Sequence, residues 1–149
     1  MSAAMGDTRF TSALQIAVAV ATNQAAGIRT TSSSLAEGLN TNASFVRKIV
    51  AILVKATLLT TSDGSHGGIR LSRPAALINL LEIHEAIVPE AKAWAVRENL
   101  SKTDAISAAI ENVSEEVGSR ADKAVANILF STSLQDCVDQ IAELERRSE

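Results

Sequence analysis

The sequence predicts a mainly α-helical chain with one small β-hairpin, on the basis of its composition and two contrasting hydrophobic patterns. Apolar residues make up 46% of the 149 residues but aromatic residues only 3%, so the core must be built from aliphatic side chains. Such side chains at helical spacing favour closely packed helices. Residues 58–72 instead show β-prone and alternating runs around a glycine-rich turn. The length fits one core domain with an appendage.

The first predicted helix, 10–23, is apolar almost all round its surface. Such a helix packs on more than one side, against its own domain and, as one option, a partner subunit. Gly27 ends this segment. Ser34 with Glu37 has the spacing of a capping box, and we expect it at the start of a short second helix, Leu35–Leu39.

A very short turn, Asn40–Asn42, follows, and Asn suits it because this residue tolerates a left-handed backbone. The third helix is predicted over 44–57. Its apolar stripe consists of Phe45, Val46, Ile49, Val50, Ile52, Leu53 and Ala56. The basic residues Arg47, Lys48 and Lys55 lie off this stripe.

The hairpin consists of a β-prone run, 58–62, a flexible turn, 63–68, and an alternating strand, 69–72. Pro74 suits the first position of the next helix, which we expect to be continuous over Ala75–Ile87.

A long helix, about 104–130, dominates the C-terminal half and follows an irregular segment, 88–102. Apolar or small residues recur along one face of it at Ile106, Ile110, Val113, Val117, Ala121, Ala124 and Ile128. This spacing is close to a heptad seam and predicts a helix–helix contact. Ser133 with Asp136 can cap a last helix, Leu134–Arg146.

Charge is distributed unevenly along the chain. The net charge is −3, but residues 1–75 carry seven basic and three acidic residues, whereas 76–149 carry seven and fourteen. The basic half can follow a phosphate backbone while the acidic half faces away; the alternative is chance segregation of surface charge. Because no apolar run is long enough for a membrane span and no signal peptide is recognisable, we expect a cytoplasmic protein without membrane contact.

The order helix, helix, turn, helix, hairpin, helix predicts a winged helix-turn-helix over 1–87, followed by an effector and dimerisation region over 88–149. In that fold the third helix enters the major groove of double-stranded DNA, and residues near its start reach base edges. The residues so placed are Asn42, Ser44, Phe45, Arg47 and Lys48. Phe45 could touch a thymine methyl or belong to the core.

Two further groups complete the predicted DNA interface. The hydroxyls of Thr31 and Ser32 could hold a phosphate or simply cap the second helix. The wing contributes Ser65, His66, Gly67 and Arg70. Glycine lets the backbone approach DNA closely, and Arg70, like Arg73, could contact phosphate or pair with a carboxylate.

Nothing in the sequence favours an enzyme. His66 and His84 lie in unrelated settings, and no Walker loop, dinucleotide fingerprint or Ser/His/Asp order is present. The single cysteine, Cys137, excludes an internal disulfide and a four-cysteine zinc site. We expect neither a metal site nor another cofactor.

Four stretches resemble the Rrf2 type of bacterial transcriptional regulators, the family of IscR, NsrR and CymR. They are Leu-Ala-Glu at 35–37, Ala-Ser-Phe-Val at 43–46, Gly-Gly-Ile-Arg-Leu-Ser-Arg-Pro at 67–74 and Ser-Thr-Ser-Leu-Gln-Asp at 131–136. The wing stretch is the most specific. The resemblance implies a homodimer, in which the long helix crosses its partner and packs on the first helix. It also implies one recognition helix in each half of a palindromic operator, so we expect a homodimeric repressor.

The chain also departs from the family pattern. Members that bind an iron–sulfur cluster carry three closely spaced cysteines before the long helix, whereas 88–103 has none, so we expect a cluster-free member. Asp63 stands where many members have a wing-tip arginine, and Ile69 where they have an aromatic residue. Asn40 replaces the usual turn glycine. Base recognition should therefore fall mainly on Ser44, Arg47 and Lys48.

Three hypotheses concern what the protein senses. A small-molecule effector could bind near 84–100, lined by His84, Glu85 and Trp94, or Trp94 could simply plug the junction between the two regions. Cys137 could be a redox switch, although its spacing along the last helix favours an apolar face. The acidic C-terminal half could dock a regulatory protein. For the whole chain, the main alternative is a protein-interaction module that keeps a winged fold.

Overall fold

The computed structural model describes residues 8–94 and 104–149. Its helices and strands in chain order are α1 Thr8–Ala25, α2 Ser32–Gly38, α3 Ala43–Lys55, β1 Leu59–Ser62, β2 Gly68–Leu71, α4 Leu80–Ile87, α5 Ala105–Ser131 and α6 Leu134–Ser148. The strands pair antiparallel, with Leu59 opposite Leu71 and Ser62 opposite Gly68. The predicted mainly helical fold with a small β-wing is confirmed.

Helix α1 lies at the centre of the core, as its all-round apolar surface predicts. It contacts α3, α4, α6 and β2. Its residues Ala13, Ile16 and Val20 have no exposed surface. Full burial of an Ile or Val side chain contributes about 1.5–3 kcal/mol to the free energy of unfolding. Helix α1 therefore stabilises the packing of the helix-turn-helix and the wing around it.

Helices α1, α2 and α3 each end at a residue in the left-handed conformation: Gly27 at φ 70°, Asn40 at φ 50° and Thr57 at φ 60°. The following amides bond back into the last turn of the helix. After α2, for example, the amide of Thr41 donates to the carbonyl of Ala36 at 2.9 Å. This is the Schellman geometry, and it confirms the predicted Asn40 turn that lets α3 follow α2 closely.

The start of α2 corrects one prediction. Its N-cap is Thr31, whose Oγ1 accepts a hydrogen bond from the amide of Ser34 at 3.1 Å. The Ser34 hydroxyl accepts in return from the amide of Thr31 at 2.9 Å. The predicted Ser34–Glu37 box is therefore wrong, because Ser34 takes the third position of a box that begins three residues earlier.

The single helix predicted over 75–87 is also wrong. A 3-10 turn is followed by the extended residue Ile78, and α4 begins only at Leu80. The carbonyl of Ile78 accepts from the amide of Leu134 at 2.8 Å, and the amide of Leu80 donates to the carbonyl of Thr132 at 2.9 Å. This backbone bridge to the α5–α6 junction uses groups that a continuous helix would consume in its own hydrogen bonds.

The two C-terminal helices match their predictions closely. Helix α6 begins with the expected capping box, in which Ser133 Oγ accepts from the amide of Asp136 at 3.0 Å. Hydrogen bonds from Ser133 lower the pKa of the Asp136 carboxyl.

None of the 27 residues of α5 is buried by the rest of the described chain. Within residues 8–94 and 104–149, no helix is long and apolar enough to cross a membrane.

Candidate nucleic-acid interface

The start of α3 presents a polar, basic surface. Asn42 caps the helix, and its Oδ1 accepts from the amide of Phe45 at 2.8 Å. Ser44, Arg47 and Lys48 are exposed. Arg47 Nη2 donates to Ser44 Oγ at 3.2 Å. This contact turns the guanidinium towards the N-terminal end of α3, the end from which a recognition helix reaches base edges.

The buried face of α3 is narrower than the predicted stripe. Its fully buried residues are Val46, Ile49, Val50 and Leu53. Phe45 is half-buried and packs against the core, which supports its core alternative. Ile52, which the sequence assigned to the stripe, is 37% exposed and follows Lys48 by one turn. The sequence pattern did not predict this exposure, because an Ile at helical spacing is more often buried.

The wing lies directly against the connection between α1 and α2. Gly68 has φ 144°, a conformation that favours glycine. A Cβ at Gly68 would lie 2.6 Å from the carbonyl oxygen of Thr30. The amide of Ile69 donates to that same carbonyl at 2.9 Å. Glycine at this position therefore permits the backbone contact that joins the wing to the helical body.

Arg29, one of the seven basic residues of the N-terminal half, holds the tip of the wing. Its Nε donates to the carbonyl of Gly67 at 2.6 Å, and its Nη2 donates to the carbonyl of Gly64 at 2.9 Å. Gln24 adds a further link, since its Oε1 accepts from the amide of Leu71 at 2.9 Å. No local pattern marks this role of Arg29, because its partners lie 38 and 35 residues further along the chain.

These contacts bring the predicted wing residues together. A cavity of about 250 Å³ between the wing and the α1–α2 connection is lined by residues that include Arg29, Ser65, His66, Gly67 and Arg70. Ser65, His66 and Arg70 are exposed, as contacts to DNA require. The predicted contact at Gly67 is wrong, because this residue is buried and its carbonyl accepts the hydrogen bond from Arg29. The wing tip is thus a partly basic surface with a fixed attachment to the body of the domain.

Two other residues predicted to contact phosphate, Thr31 and Arg73, are engaged within the protein. The Thr31 hydroxyl accepts the capping hydrogen bond of α2, while Ser32 is half-buried in its first turn. Arg73 forms an ion pair with Glu82, and its Nε donates to the carbonyl of Leu77 at 3.0 Å. For Arg73 the carboxylate alternative is therefore the one that the structure supports.

Replacing Arg29 with alanine should loosen the wing without unfolding the protein. The change removes two donors from the wing-tip carbonyls and leaves the buried core untouched. We expect faster hydrogen exchange at the amides of Gly67 and Ile69 and a DNA affinity lower by about 3- to 10-fold. Arg29→Lys should restore only part of the affinity, because an ammonium lacks the planar fork that spans two carbonyls.

Arg120→Ala is the matched control, since it removes an exposed positive charge from α5. Hydrogen-exchange mass spectrometry and gel-shift titration report the two effects separately. Equal loss of affinity in Arg29→Ala and Arg120→Ala, with unchanged exchange in the wing, would mean that Arg29 contributes charge alone.

His84 and Trp94 line a second cavity, of about 430 Å³, between α4, the segment that follows it and α5. His84 packs edge-on against Phe10, with ring centroids 5.1 Å apart. The Trp94 indole lies over Gly118, where an added Cβ would be 3.4 Å from Cε2 of the ring. Both predicted effector residues therefore face one cavity, although Trp94 also packs at the junction. The remainder of the predicted effector stretch, 95–100, lies outside the described residues.

Cys137 lies apart from these surfaces. It is half-buried in a groove of about 510 Å³ between α1 and α6. Burial, together with the negative charge of Asp136, raises the pKa of the Cys137 thiol. Since the thiolate is the reactive form of cysteine, this environment favours the apolar-face alternative over a redox switch.

We expect Cys137 to react with iodoacetamide at pH 7 several-fold more slowly than free cysteine, because its thiolate fraction is small. Asp136→Asn should speed the reaction by removing the neighbouring charge while keeping a capping side chain. Alkylation as fast as that of free cysteine would contradict this. Loss of DNA binding on peroxide treatment in both wild type and Cys137→Ser would exclude a switch at this thiol.

A helix-turn-helix core with a basic recognition helix and an attached β-wing defines a winged-helix DNA-binding protein. The chain belongs to the Rrf2 family, described as iron-dependent transcriptional regulators, whose family profile matches residues 7–140. It is therefore a DNA-binding transcriptional regulator and not an enzyme.

Individual relatives agree with this assignment. The HTH-type transcriptional regulator YwnA of Bacillus subtilis (strain 168) is 32% identical over 113 residues, which cover 76% of this chain and 84% of YwnA. CymR, the global cysteine regulator of B. subtilis, superposes with a TM-score of 0.71 at 22% identity, covering 90% of this chain and 95% of CymR. IscR of T. potens gives a TM-score of 0.71 at 20% identity, covering 93% and 88%. At these identities the two structures support the fold alone.

Proposed function

We propose that the chain is a homodimeric repressor that acts in the bacterial cytoplasm on a palindromic operator, with one α3 in each half-site. Ser44 and Arg47 contact bases and Lys48 contacts phosphate, while Asn42 and Phe45 hold the start of the helix in place. The backbone of the flanking DNA faces the exposed wing residues Ser65, His66 and Arg70. The exposed Arg47 and Lys48 at the start of α3 are the observation that carries the DNA contact.

The dimer is supported by the surface of α5. Its large exposed apolar side chains are Ile106, Ile110, Val113, Val117, Val125, Ile128 and Phe130. They include five of the seven positions in the predicted seam. Soluble monomers rarely expose contiguous apolar surface on this scale. A second copy of α5, crossing the first, would remove these side chains from water.

The iron dependence in the family description does not fit the donors of this chain. A cysteine-ligated cluster within one chain needs several thiolates, and this sequence has one. That thiol, Cys137, lies in a largely apolar groove between α1 and α6. Among the described residues, no group of three or more His, Cys, Asp or Glu side chains is arranged to hold a metal ion. We therefore propose regulation without an iron–sulfur cluster.

We propose that the cavity lined by His84 and Trp94 is the effector site. It lies between α4, which belongs to the winged domain, and α5, the proposed dimer helix. A ligand there would contact both bodies and could alter the spacing of the two recognition helices, which must match the half-sites of an operator.

Gel-shift titration against the promoter region of the protein's own operon tests the proposal. Binding should weaken steeply with salt, because phosphate contacts release counterions. Light scattering after gel filtration should give the mass of a dimer. A folded dimer without any shift at low salt would favour the protein-interaction module, in which the acidic C-terminal half docks a partner protein.

A further inference from the structure

We infer that the cavity between α4 and α5 selects an organic cation with an apolar body. This inference rests on the assignment of the cavity above as the effector site. The cavity volume of about 430 Å³ suits a small organic molecule. Most of its wall is apolar and comes from Leu81, Val88, Pro89, Ala91, Val125 and Leu129. A ligand therefore needs an apolar body to displace water from this surface.

Among the described residues that line the cavity, the formally charged side chains are all acidic. The described residues around the cavity include two carboxylates, Glu85 and Asp122, and neither lysine nor arginine; His84 is the other titratable side chain. Asp122 is held in place because its Oδ1 accepts from the amide of Ala93 at 2.6 Å. Two carboxylates beside an apolar wall attract a cation and repel an anion more strongly than they would in open water.

Trp94 adds an aromatic face to the two carboxylates. Its indole is held over Gly118 while 39% of its surface remains exposed. Among aromatic side chains, Trp gives the strongest cation–π attraction, and cages of aromatic rings and carboxylates recognise substituted ammonium groups. The cavity thus combines three features that favour an alkylated or aryl ammonium ion: an apolar wall, fixed negative charge and an indole.

The single tryptophan of the chain provides a direct readout, since Trp94 fluorescence should change when the cavity is occupied. The probes are benzyltrimethylammonium, benzyl alcohol and phenylacetate, which share an aromatic body and carry positive, zero and negative charge. Titrated into the full-length protein at pH 8, the cation should bind at least about 10-fold more tightly than the alcohol, and phenylacetate more weakly than either.

Charge-neutral variants identify the site. Glu85→Gln and Asp122→Asn should each weaken binding of the cation by about 3- to 10-fold and leave benzyl alcohol unchanged. Glu116→Gln, which removes the same charge from α5 outside the cavity lining, should have no effect. Thermal melting checks that each variant is folded.

Equal affinity for the three probes, no saturable binding of the cation, or the same cation affinity in all three variants would overturn the inference. These results are independent of the operator gel shift, which is measured without any probe. If the protein binds DNA but not the cation, only the inferred ligand class is contradicted. If it binds the cation but not DNA, only the proposed repressor function is contradicted.

Discussion

Replacing Arg47 and Lys48 together with alanine should lower operator affinity by roughly 100-fold at about 0.1 M salt, with the fold and the dimer intact. Both side chains are exposed at the start of α3. A good base contact is worth about 1–3 kcal/mol, and each 1.4 kcal/mol changes the dissociation constant tenfold. Gel-shift titration measures the loss, and thermal melting confirms that the variant is folded.

The two single variants separate base contacts from phosphate contacts. A phosphate contact weakens binding to every sequence and lowers the salt slope by about 1, whereas a base contact relaxes specificity at one operator position. We expect the base contact at Arg47, because its planar guanidinium can bond two acceptors of a guanine edge at once. Lys48 should act mainly on phosphate.

Lys55→Ala is the control for this experiment. Lys55 is exposed and lies in the last turn of α3, so its removal changes the same charge at the opposite end of the helix. We expect an affinity change below about 3-fold. A loss as large as that of Arg47→Ala would contradict a recognition helix that enters the groove by its N-terminal end.

Replacing Val113 and Val117 together with glutamate should convert the dimer into a monomer. Both side chains are about half exposed in the single chain, and the seam predicts that a partner covers them. An unpaired charge buried at an interface costs about 2–5 kcal/mol, so two of them should raise the dimer dissociation constant by more than about 100-fold. Operator affinity should fall as well, because a monomer engages only one half-site.

Sedimentation velocity over a range of concentrations measures the dimer directly. Ser119→Glu is the matched control, because it adds a charge to an exposed position of α5 that lies off the seam. This control should remain a dimer. A double variant with the mass and operator affinity of wild type would mean that the partner covers some other surface.

Elements defined by local signals could be predicted from the sequence. Hydrophobic periodicity predicted the ends of α1, α3, α5 and α6 to within about two residues of their positions in the structure. Assigned helix ends commonly vary by one or two residues. The turn at Asn40 and the cap formed by Ser133 and Asp136 depend on residues no more than a few positions apart. Such contacts leave a pattern in the sequence because the interacting groups have a fixed spacing.

The predictions failed where distant backbone or a choice between neighbouring caps decided the outcome. The helix expected over 75–87 is broken at Ile78, since its carbonyl bonds to the amide of Leu134. At α2, several hydroxyl side chains in a row offered competing caps, and Thr31 took the position assigned to Ser34. Propensity alone does not rank such neighbours, because the geometry of the preceding chain selects among them.

The basic start of α3, the wing and the long seam of α5 were thus determined by the sequence itself, through residue type and period. Only the tertiary structure decided that Arg29 holds the wing tip, that Ile52 is exposed, and that Trp94 and Asp122 share one cavity. The physical reason is separation along the chain. A hydrogen bond across 38 residues, or a cavity between two helices, leaves no periodic trace, because it depends on how finished elements pack.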